Sequence, residues 1–252
     1  MKLLTLARDL RRRKAREKHA LFVAEGVRCV EELLRSGLVV RGALVAPQLI
    51  EAPRGQTLRR LLDSSAVEVM EISDKDFRSA AETESPQGVL AVAEVPARNL
   101  DTLETGEVCR LLLLDGIQDP GNAGTIVRTA AALGATATIA LPGTVDLWNA
   151  KVVRSSMGAQ FEHPALHAGL EETFDFLERR KIELWVTEAG GEALTAAEAP
   201  ARLAIALGNE GSGVTTPVRS KSRKSVALRI APKVDSLNVA VAAGIILYEL
   251  RA

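Results

Sequence analysis

Hydrophobic and polar positions alternate with two different periods along the first part of the chain. Apolar positions three and four residues apart predict a helix at 27–37, where Val27, Val30 and Leu33 share one face and Gly37 is expected to end it. Two further helices are predicted at 58–65 and 73–83. Apolar runs bounded by turn residues predict strands at 21–26, 40–46, 67–73 and 88–95. Strands alternating with helices are typical of a small α/β domain.

The alternation stops at residues 97–108, which are polar and contain Asn, Asp, Thr and Gly, and then begins again. We predict an interdomain linker there. Beyond it, helices are predicted at 123–134, 148–159 and 236–250, and apolar strands at 111–117, 137–141, 183–189, 202–208 and 225–231. Continuously apolar strands indicate a mostly parallel sheet covered on both faces, and therefore an α/β fold.

Composition indicates a globular, cytoplasmic protein. Hydrophobic residues make up 47% and charged residues 25% of the chain, an ordinary balance for a soluble domain. The longest apolar stretch, 237–250, is too short to span a bilayer, and residues 1–18 lack the apolar core of a secretory signal. The two cysteines, Cys29 and Cys109, form neither a disulfide framework nor a metal cluster, so we expect buried thiols and no metal.

Charge is balanced overall, with 32 basic and 32 acidic residues, but it is unevenly distributed. Residues 8–18 hold seven basic side chains against two acidic ones. This run is either a solvated helix face or an arm that binds RNA phosphates. A second basic cluster at 219–224 has the same two interpretations. The candidate RNA contacts are Arg11, Arg12, Arg13, Lys14, Arg16, Lys18 and, in a later helix, Arg154.

Three loops place glycine and short polar residues after buried strands, at 115–130, 206–214 and 230–244. Ligands collect at the carboxyl ends of the strands in an open parallel sheet. In the first loop, we expect Asn122 to cap the following helix and Arg128 to lie on its first turns, near backbone amides that favour anions. In the third, Ser236 and Asn238 open the last helix, and one of them is expected to cap it.

The glycine loop, ALGNEGSGV, has neither the spacing of a dinucleotide fingerprint nor that of a Walker motif. The three histidines, His19, His163 and His167, lie outside the loops, and we interpret them as non-catalytic. The residues by themselves therefore predict a nucleotide-like ligand bound by three Gly/Asn loops, without identifying it.

The loops resemble the SpoU (TrmH-type) branch of the SPOUT RNA methyltransferases. DPGNAGTIVRTA, LGNEGSG and SLNVAVAAGIILYE are similar to the family's three motifs in their order and spacing, and KVVRSSMGAQFEHP is similar to the stretch between the first two. The segments AREKHALFVAEGVRCVEELL and SPQGVLAVAEVP resemble the substrate-binding domain of ribosomal-RNA members. The segment 230–236 differs from the family's isoleucine-proline loop in length and spacing.

The resemblance implies a substrate-binding domain at 1–96 and a catalytic domain at 109–252 that ends in a deep trefoil knot, a departure from the rule that chains do not thread loops. It also implies a homodimer that uses S-adenosylmethionine to methylate a ribose 2′-hydroxyl of RNA. The favoured substrate is 23S ribosomal RNA. The implied catalytic residues are Arg128, Asn122, Glu210, Ser236 and Asn238. The implied cofactor contacts are Thr187, Leu207, Gly208, Asn209, Gly213, Ile230, Leu237 and Asn238.

Other functions stay open at this point. The substrate could be tRNA, or the chain could be a non-catalytic RNA-binding descendant of the family. Lost catalysis is disfavoured by the joint presence of Asn122, Arg128, Glu210, Ser236 and Asn238. A nucleotide-dependent oxidoreductase is disfavoured because the dinucleotide fingerprint is missing.

Overall fold

A computed structural model describes residues 2–194, 199–231, 233–234 and 236–250. Contacts divide these residues into two units, one containing the described residues up to Ala97 together with Trp148–Glu162, and the other containing Arg98–Leu147 and the described residues from His163 onward. None of the helices in these ranges combines the length and apolar character that crossing a bilayer requires.

The helices and strands, in chain order, are α1 (Leu3–Asp9), α2 (Arg13–His19), β1 (Leu21–Glu25), α3 (Val27–Arg35), β2 (Val40–Val45), α4 (Pro53–Asp63), β3 (Val69–Glu71), α5 (Asp74–Ala80), β4 (Val89–Glu94), β5 (Cys109–Asp115), α6 (Pro120–Ala132), β6 (Ala137–Ala140), α7 (Ala150–Ser155), α8 (Ala159–Glu162), β7 (Ala165–His167), α9 (Leu170–Arg179), β8 (Glu183–Ala193), β9 (Arg202–Gly208), α10 (Thr216–Lys221), β10 (Lys224–Ala227) and α11 (Val239–Glu249).

The first unit is built on a four-stranded sheet in the order β1-β4-β2-β3. The β4 strand pairs antiparallel with both of its neighbours, whereas β2 and β3 are parallel. Alternate residues of β4 point to opposite faces, so that Val89, Ala91 and Ala93 pack in one apolar cluster and Leu90 and Val92 in another. Both faces of this small sheet are therefore covered.

The segment Trp148–Glu162 belongs to this first unit although it follows α6 and β6 in sequence. The ring of Phe22 on β1 lies 4.6 Å from that of Trp148 and 5.8 Å from that of Phe161, measured between centroids. These aromatic side chains, with Val153, complete an apolar cluster of the first unit. The predicted domain boundaries did not anticipate this insertion, because hydrophobic periodicity gives no information about which sheet a helix covers.

The second unit contains a six-stranded sheet in the order β10-β8-β9-β5-β6-β7. Every neighbouring pair of strands in it is parallel, which confirms the predicted α/β fold. The chain leaves β5 toward β6 and β7 on one side and returns to β8, β9 and β10 on the other. The boundary between β5 and β9 is therefore the topological switch point, where open α/β sheets bind their ligands.

Most predicted elements of the second unit are present, with informative differences. Gly134 has a φ of +72° and follows α6, as predicted for a glycine that ends a helix. Sequence reasoning missed β7, α9 and α10 in this unit. The segment predicted as one helix at 148–159, which belongs to the first unit, is two short helices, α7 and α8. In the first unit the prediction for Gly37 was wrong: it follows α3 by two residues, as Gly134 follows α6, but it does not have the positive φ of a helix-ending glycine, and Ser36 before it is extended.

Candidate functional site

The predicted loops meet at the carboxyl ends of β5 and β9. These two strands are in register to their last residues, so that Asp115 stands opposite Gly208. The side chain of Asn209 joins the two strand ends, since its amide donates to the carbonyl of Gly116 at 2.9 Å. The buried Asp115 carboxylate accepts from the backbone N–H of Thr215 at 2.6 Å and anchors the far end of the glycine loop. The sheet thus fixes the floor of the site.

The first loop enters α6 differently from the prediction. Asp119 is the N-cap, and its carboxylate accepts from the N–H of Asn122 at 2.8 Å. The prediction of Asn122 as the cap was wrong, although Asp119 followed by Pro120 is a recognisable helix start. Because α6 begins at Pro120, Arg128 lies in its third turn, about 9 Å along the axis from Asn122. It is exposed and not near the amides of the first turn, which corrects its predicted position.

Because Asp119 caps α6, the Asn122 side chain is available to connect the other two loops. Its amide donates to the Glu210 carboxylate at 2.7 Å, and its carbonyl accepts from the Asn238 amide at 3.0 Å. Asn238 is in turn the N-cap of α11, where its carbonyl accepts from the N–H groups of Ala240 and Val241. One hydrogen-bonded chain, Asn238–Asn122–Glu210, therefore joins three loops that are distant in sequence.

The glycine loop owes its shape to three residues. Gly213 has a φ of +69°, a conformation that glycine adopts at little cost. A Cβ on Gly208 would overlap the backbone of Gly213 and Val214, so this glycine permits close approach of two chain segments. The side-chain carbonyl of Asn209 accepts from the N–H groups of Gly211 and Ser212 at 2.9 and 3.1 Å. The loop is therefore folded on itself around Asn209.

Beside this loop is a cavity of about 440 Å³, which lies in the size range of small-molecule sites. Its walls come from β8, β9, the loop after β10 and the start of α11. Of the predicted catalytic residues, Glu210, Ser236 and Asn238 line it, whereas Asn122 and Arg128 are not among its described lining residues. The predicted cofactor contacts all line it, namely Thr187, Leu207, Gly208, Asn209, Gly213, Ile230, Leu237 and Asn238.

The cavity suits a nucleoside with a cationic tail. Leu207, Ile230 and Leu237 offer apolar walls for a flat base, and the glycine loop brings backbone groups to its edge. Glu188 and Glu210 are the ionisable side chains among the described lining residues, and both are acidic. Pro232 and Asp235 of the unusual 230–236 segment lie outside the described residues.

The structure separates the candidate RNA contacts into two groups. Arg16 is only 5% exposed, and its guanidinium donates to the carbonyls of Leu10 and Arg11 at 2.7 and 2.9 Å. The prediction that it binds phosphate is corrected, because this side chain holds α1 to α2. Arg154 lies 3.9 Å from the buried Glu25 carboxylate, an ion pair within the first unit. The remaining candidates are exposed, namely Arg11, Arg12, Arg13, Lys14 and Lys18.

Two of the four basic residues in the second cluster are paired with carboxylates. Arg219 pairs with Glu188, and the Lys224 ammonium lies 3.1 Å from the carboxylate of Glu192. Sequence reasoning missed Glu188 and Glu192 as partners because they lie on β8, more than thirty positions earlier in the chain. These contacts favour the structural interpretation of the cluster over an RNA surface.

Other reactive side chains are buried in the cores. Burial raises the pKa of Cys29 to about 12, and both cysteines are buried and free, as predicted. Burial, helped by the charge of Arg98, lowers the pKa of His163 to about 4. The His163 Nε2 atom lies 2.9 Å from the Thr138 hydroxyl. His163 therefore has a structural environment within the second unit.

Comparison with known proteins connects this site to a family. Residues 110–248 match the SpoU rRNA Methylase family, and residues 5–91 match the MRM3-like substrate binding domain. The chain is 32% identical over 245 residues to 23S rRNA (guanosine(2553)-2′-O)-methyltransferase RlmP of Bacillus subtilis, covering 97% of this chain and 94% of that protein. It is 31% identical over 249 residues to 23S rRNA (uridine(2479)-2′-O)-methyltransferase of Streptomyces viridochromogenes, covering 94% and 84%. A solved structure of the SpoU methyltransferase AviRb from the latter organism, in complex with AdoMet, superposes with a TM-score of 0.89 at 30% identity, covering 99% of this chain and 97% of that one.

Proposed function

The chain belongs to the SpoU rRNA methylase family, and on that premise we propose that it transfers a methyl group from S-adenosylmethionine to a ribose 2′-hydroxyl of 23S ribosomal RNA. One observation carries the proposal. The cavity at the switch point is lined by all the residues that the family resemblance assigns to the cofactor, and it adjoins the Asn238–Asn122–Glu210 chain. The substrate-binding domain in the first unit favours ribosomal RNA over tRNA.

Leu207, Ile230 and Leu237 would hold the base of the cofactor, and the glycine loop would offer backbone groups at the edge of the cavity. When bound, S-adenosylmethionine would supply a sulfonium methyl group, whose carbon the ribose oxygen attacks in line as the C–S bond breaks and S-adenosylhomocysteine leaves. The task of the chain is then to align the ribose oxygen with that methyl group, since near-attack alignment can contribute roughly 7–11 kcal/mol. A prearranged polar chain beside the cavity suits this task, because its members are already fixed to one another.

Arg128 is the residue that we place on the reacting ribose. A guanidinium is always protonated, so it does not serve as the base. It instead stabilises the developing alkoxide and holds a neighbouring phosphate, which accepts or relays the proton. Asn122, Glu210, Ser236 and Asn238 orient the ribose. The exposed position of Arg128 on α6 leaves it accessible to a large substrate.

We further propose that the chain acts as a homodimer. Val241, Ile245 and Tyr248 follow a spacing of four and three residues along α11 and are 52%, 39% and 51% exposed. The buried side chains of α11, Ala243, Ile246 and Leu247, lie on the other side of the helix, and Gly244, at the flank of the stripe, faces Thr129 of α6. An exposed apolar helix stripe of this kind fits a second copy of the same helix. The C-terminal knot and the cytoplasmic location stay predictions from the resemblance and the composition.

The test is methyl transfer from labelled S-adenosylmethionine to purified 23S RNA, 16S RNA and tRNA. We expect label in 23S RNA at one position that resists alkaline cleavage, and its loss in Arg128→Ala by at least about a hundredfold. Arg128→Lys keeps the charge without the planar fork and should recover only part of the activity. Label in tRNA alone would favour the tRNA alternative, whereas cofactor binding without label in any RNA would favour the non-catalytic descendant.

A further inference from the structure

Glu188 is a cavity residue that neither the motifs nor the mechanism uses. It lies on β8 directly after Thr187 and lines the cavity. One of its carboxylate oxygens accepts from the Arg219 Nε–H, and the other accepts from the Ser225 hydroxyl at 2.8 Å. These partners come from α10 and β10, so two elements fix the orientation of one carboxylate.

The partners of Glu188 leave part of its hydrogen-bonding capacity unused. A carboxylate offers about four lone-pair sites, and the Arg219 and Ser225 contacts occupy one on each oxygen. The Glu188 side chain keeps 27% of its surface exposed, and the cavity borders it. A fixed acceptor with remaining capacity therefore faces the space where a ligand would lie.

The charges of the cavity indicate what this acceptor would receive. Among its described lining residues there are two carboxylates, Glu188 and Glu210, and no lysine, arginine or histidine. S-adenosylmethionine has one net positive charge, and its donor groups are the ribose hydroxyls, the adenine amine and the ammonium. Glu210 belongs to the hydrogen-bonded chain with Asn122 and Asn238, whereas Glu188 is the carboxylate on the β8 side of the cavity.

We infer that Glu188 is a cofactor-binding residue, whose carboxylate accepts hydrogen bonds from the ribose hydroxyls or the ammonium of the methyl donor. This inference rests on the proposed function and extends it to a residue outside the family's motifs. Arg219 and Ser225 are positioning residues, because they act on the cofactor through Glu188. A hydrogen bond to a charged acceptor is stronger than one to a neutral amide, so the charge of Glu188 contributes to affinity.

The experiment is calorimetric binding of S-adenosylmethionine, S-adenosylhomocysteine and adenosine to the full-length wild type and variants. Glu188→Gln keeps the shape but removes the charge, and we expect an affinity for S-adenosylmethionine lower by about tenfold or more. If adenosine also loses affinity, Glu188 binds the ribose. If only the two amino-acid-bearing ligands lose affinity, it binds the ammonium. Glu188→Asp, which retracts the charge by one methylene, should show a smaller loss and provides the same test if the Gln variant does not fold.

Two matched variants separate binding from structure. Glu192→Gln lies on the same strand and breaks the ion pair with Lys224, but Glu192 does not line the cavity, so its affinity should equal that of the wild type. Arg219→Gln removes the main partner of Glu188 and should lose less affinity than Glu188→Gln. Two results would overturn this inference and leave the proposed function standing. One is equal affinity of the wild type and Glu188→Gln, and the other is a loss of affinity in Arg219→Gln as large as that in Glu188→Gln. A wild type that binds no S-adenosylmethionine would overturn the proposed function as well.

Discussion

The side-chain amide of Asn122 donates a hydrogen bond to the carboxylate of Glu210 at 2.7 Å, across 88 positions of sequence. The same Asn122 accepts from Asn238, so both of its polar atoms are used to connect loops. An amide is the side chain that can donate and accept in this way, since it has an N–H group and a carbonyl on one planar group. The first loop is thereby fixed to the other two.

Replacing Asn122 should affect methyl transfer more than cofactor binding. Asn122→Ala removes a hydrogen bond to a charged group, a loss of about 1.5–3 kcal/mol or at least about tenfold in rate if the bond is needed during transfer. Affinity for S-adenosylmethionine should stay within about twofold, because Asn122 is not among the described residues that line the cavity. Asn99→Ala, which removes the cap of a short 3₁₀ helix at Leu100–Thr102, is the control. A parallel fall of binding and rate would contradict this assignment.

The glycine loop should not tolerate a methyl group at Gly208. Its Cβ would overlap the backbone of Gly213 and Val214, and we expect Gly208→Ala to lower the free energy of unfolding by about 1–3 kcal/mol and to weaken cofactor binding. Gly37→Ala is the matched control, since nothing lies within 4 Å of its added Cβ. Urea unfolding and calorimetry measure both effects. Similar stabilities of the two variants would show that the loop can rearrange.

The basic residues of α2 should divide into binding and structural groups. Lys14 and Lys18 are exposed and four residues apart on one helix face, whereas Arg16 is buried on backbone carbonyls. Lys14→Ala with Lys18→Ala should weaken RNA binding and reduce the salt slope by roughly 0.7–0.9 per lysine, leaving stability unchanged.

Arg16→Ala provides the contrast on the same helix. It should lower the free energy of unfolding by about 1.5–3 kcal/mol, because the backbone carbonyls of Leu10 and Arg11 lose their hydrogen bonds from a charged guanidinium. Filter binding at several salt concentrations and urea unfolding would measure these effects. An RNA affinity that is insensitive to both lysines would place the RNA surface elsewhere.

Stability should depend on pH through His163. Its pKa falls from 6.5 to about 4 in the folded chain because of burial first and the charge of Arg98 second. Between these values the unfolded chain binds the proton and the folded chain does not, so stability falls as the pH is lowered from about 6.5 toward 4. The full loss is on the order of 3 kcal/mol.

Urea unfolding at pH 7 and pH 5 tests this dependence. The loss of stability in the wild type should exceed that in His163→Gln by about 2 kcal/mol. His19→Gln, at an exposed position, should keep the wild-type dependence. Equal losses in the wild type and His163→Gln would mean that other groups cause the acid sensitivity.

The proposed dimer should depend on the exposed stripe of α11. Ile245→Glu places a charge between Val241 and Tyr248 and should convert dimers to monomers, because burying an unpaired carboxylate is costly. Leu61→Glu, at a similarly exposed apolar position on α4, should leave the mass unchanged. Light scattering after size-exclusion chromatography distinguishes these outcomes. A dimeric Ile245→Glu variant would exclude this face as the interface.

The sequence by itself predicted the elements whose signals are local. The apolar run of β5 and the left-handed Gly134 after α6 follow from hydrophobic period and turn chemistry. The family resemblance added the cofactor residues, all of which line one cavity. Local signals of this kind do not depend on where the rest of the chain lies.

Tertiary structure decided what depends on distant partners. Arg16 looked like its exposed neighbours in sequence, but carbonyls at the end of α1 bury it. Trp148–Glu162 has an ordinary helical pattern, yet the ring of Phe22 fixes it to the first unit. Asp119 caps α6 in place of Asn122, whose side chain instead forms hydrogen bonds with Glu210 and Asn238. Glu188 forms an ion pair with Arg219. Hydrogen bonds and packing between segments far apart in sequence leave no periodic signal, so only the folded chain shows them.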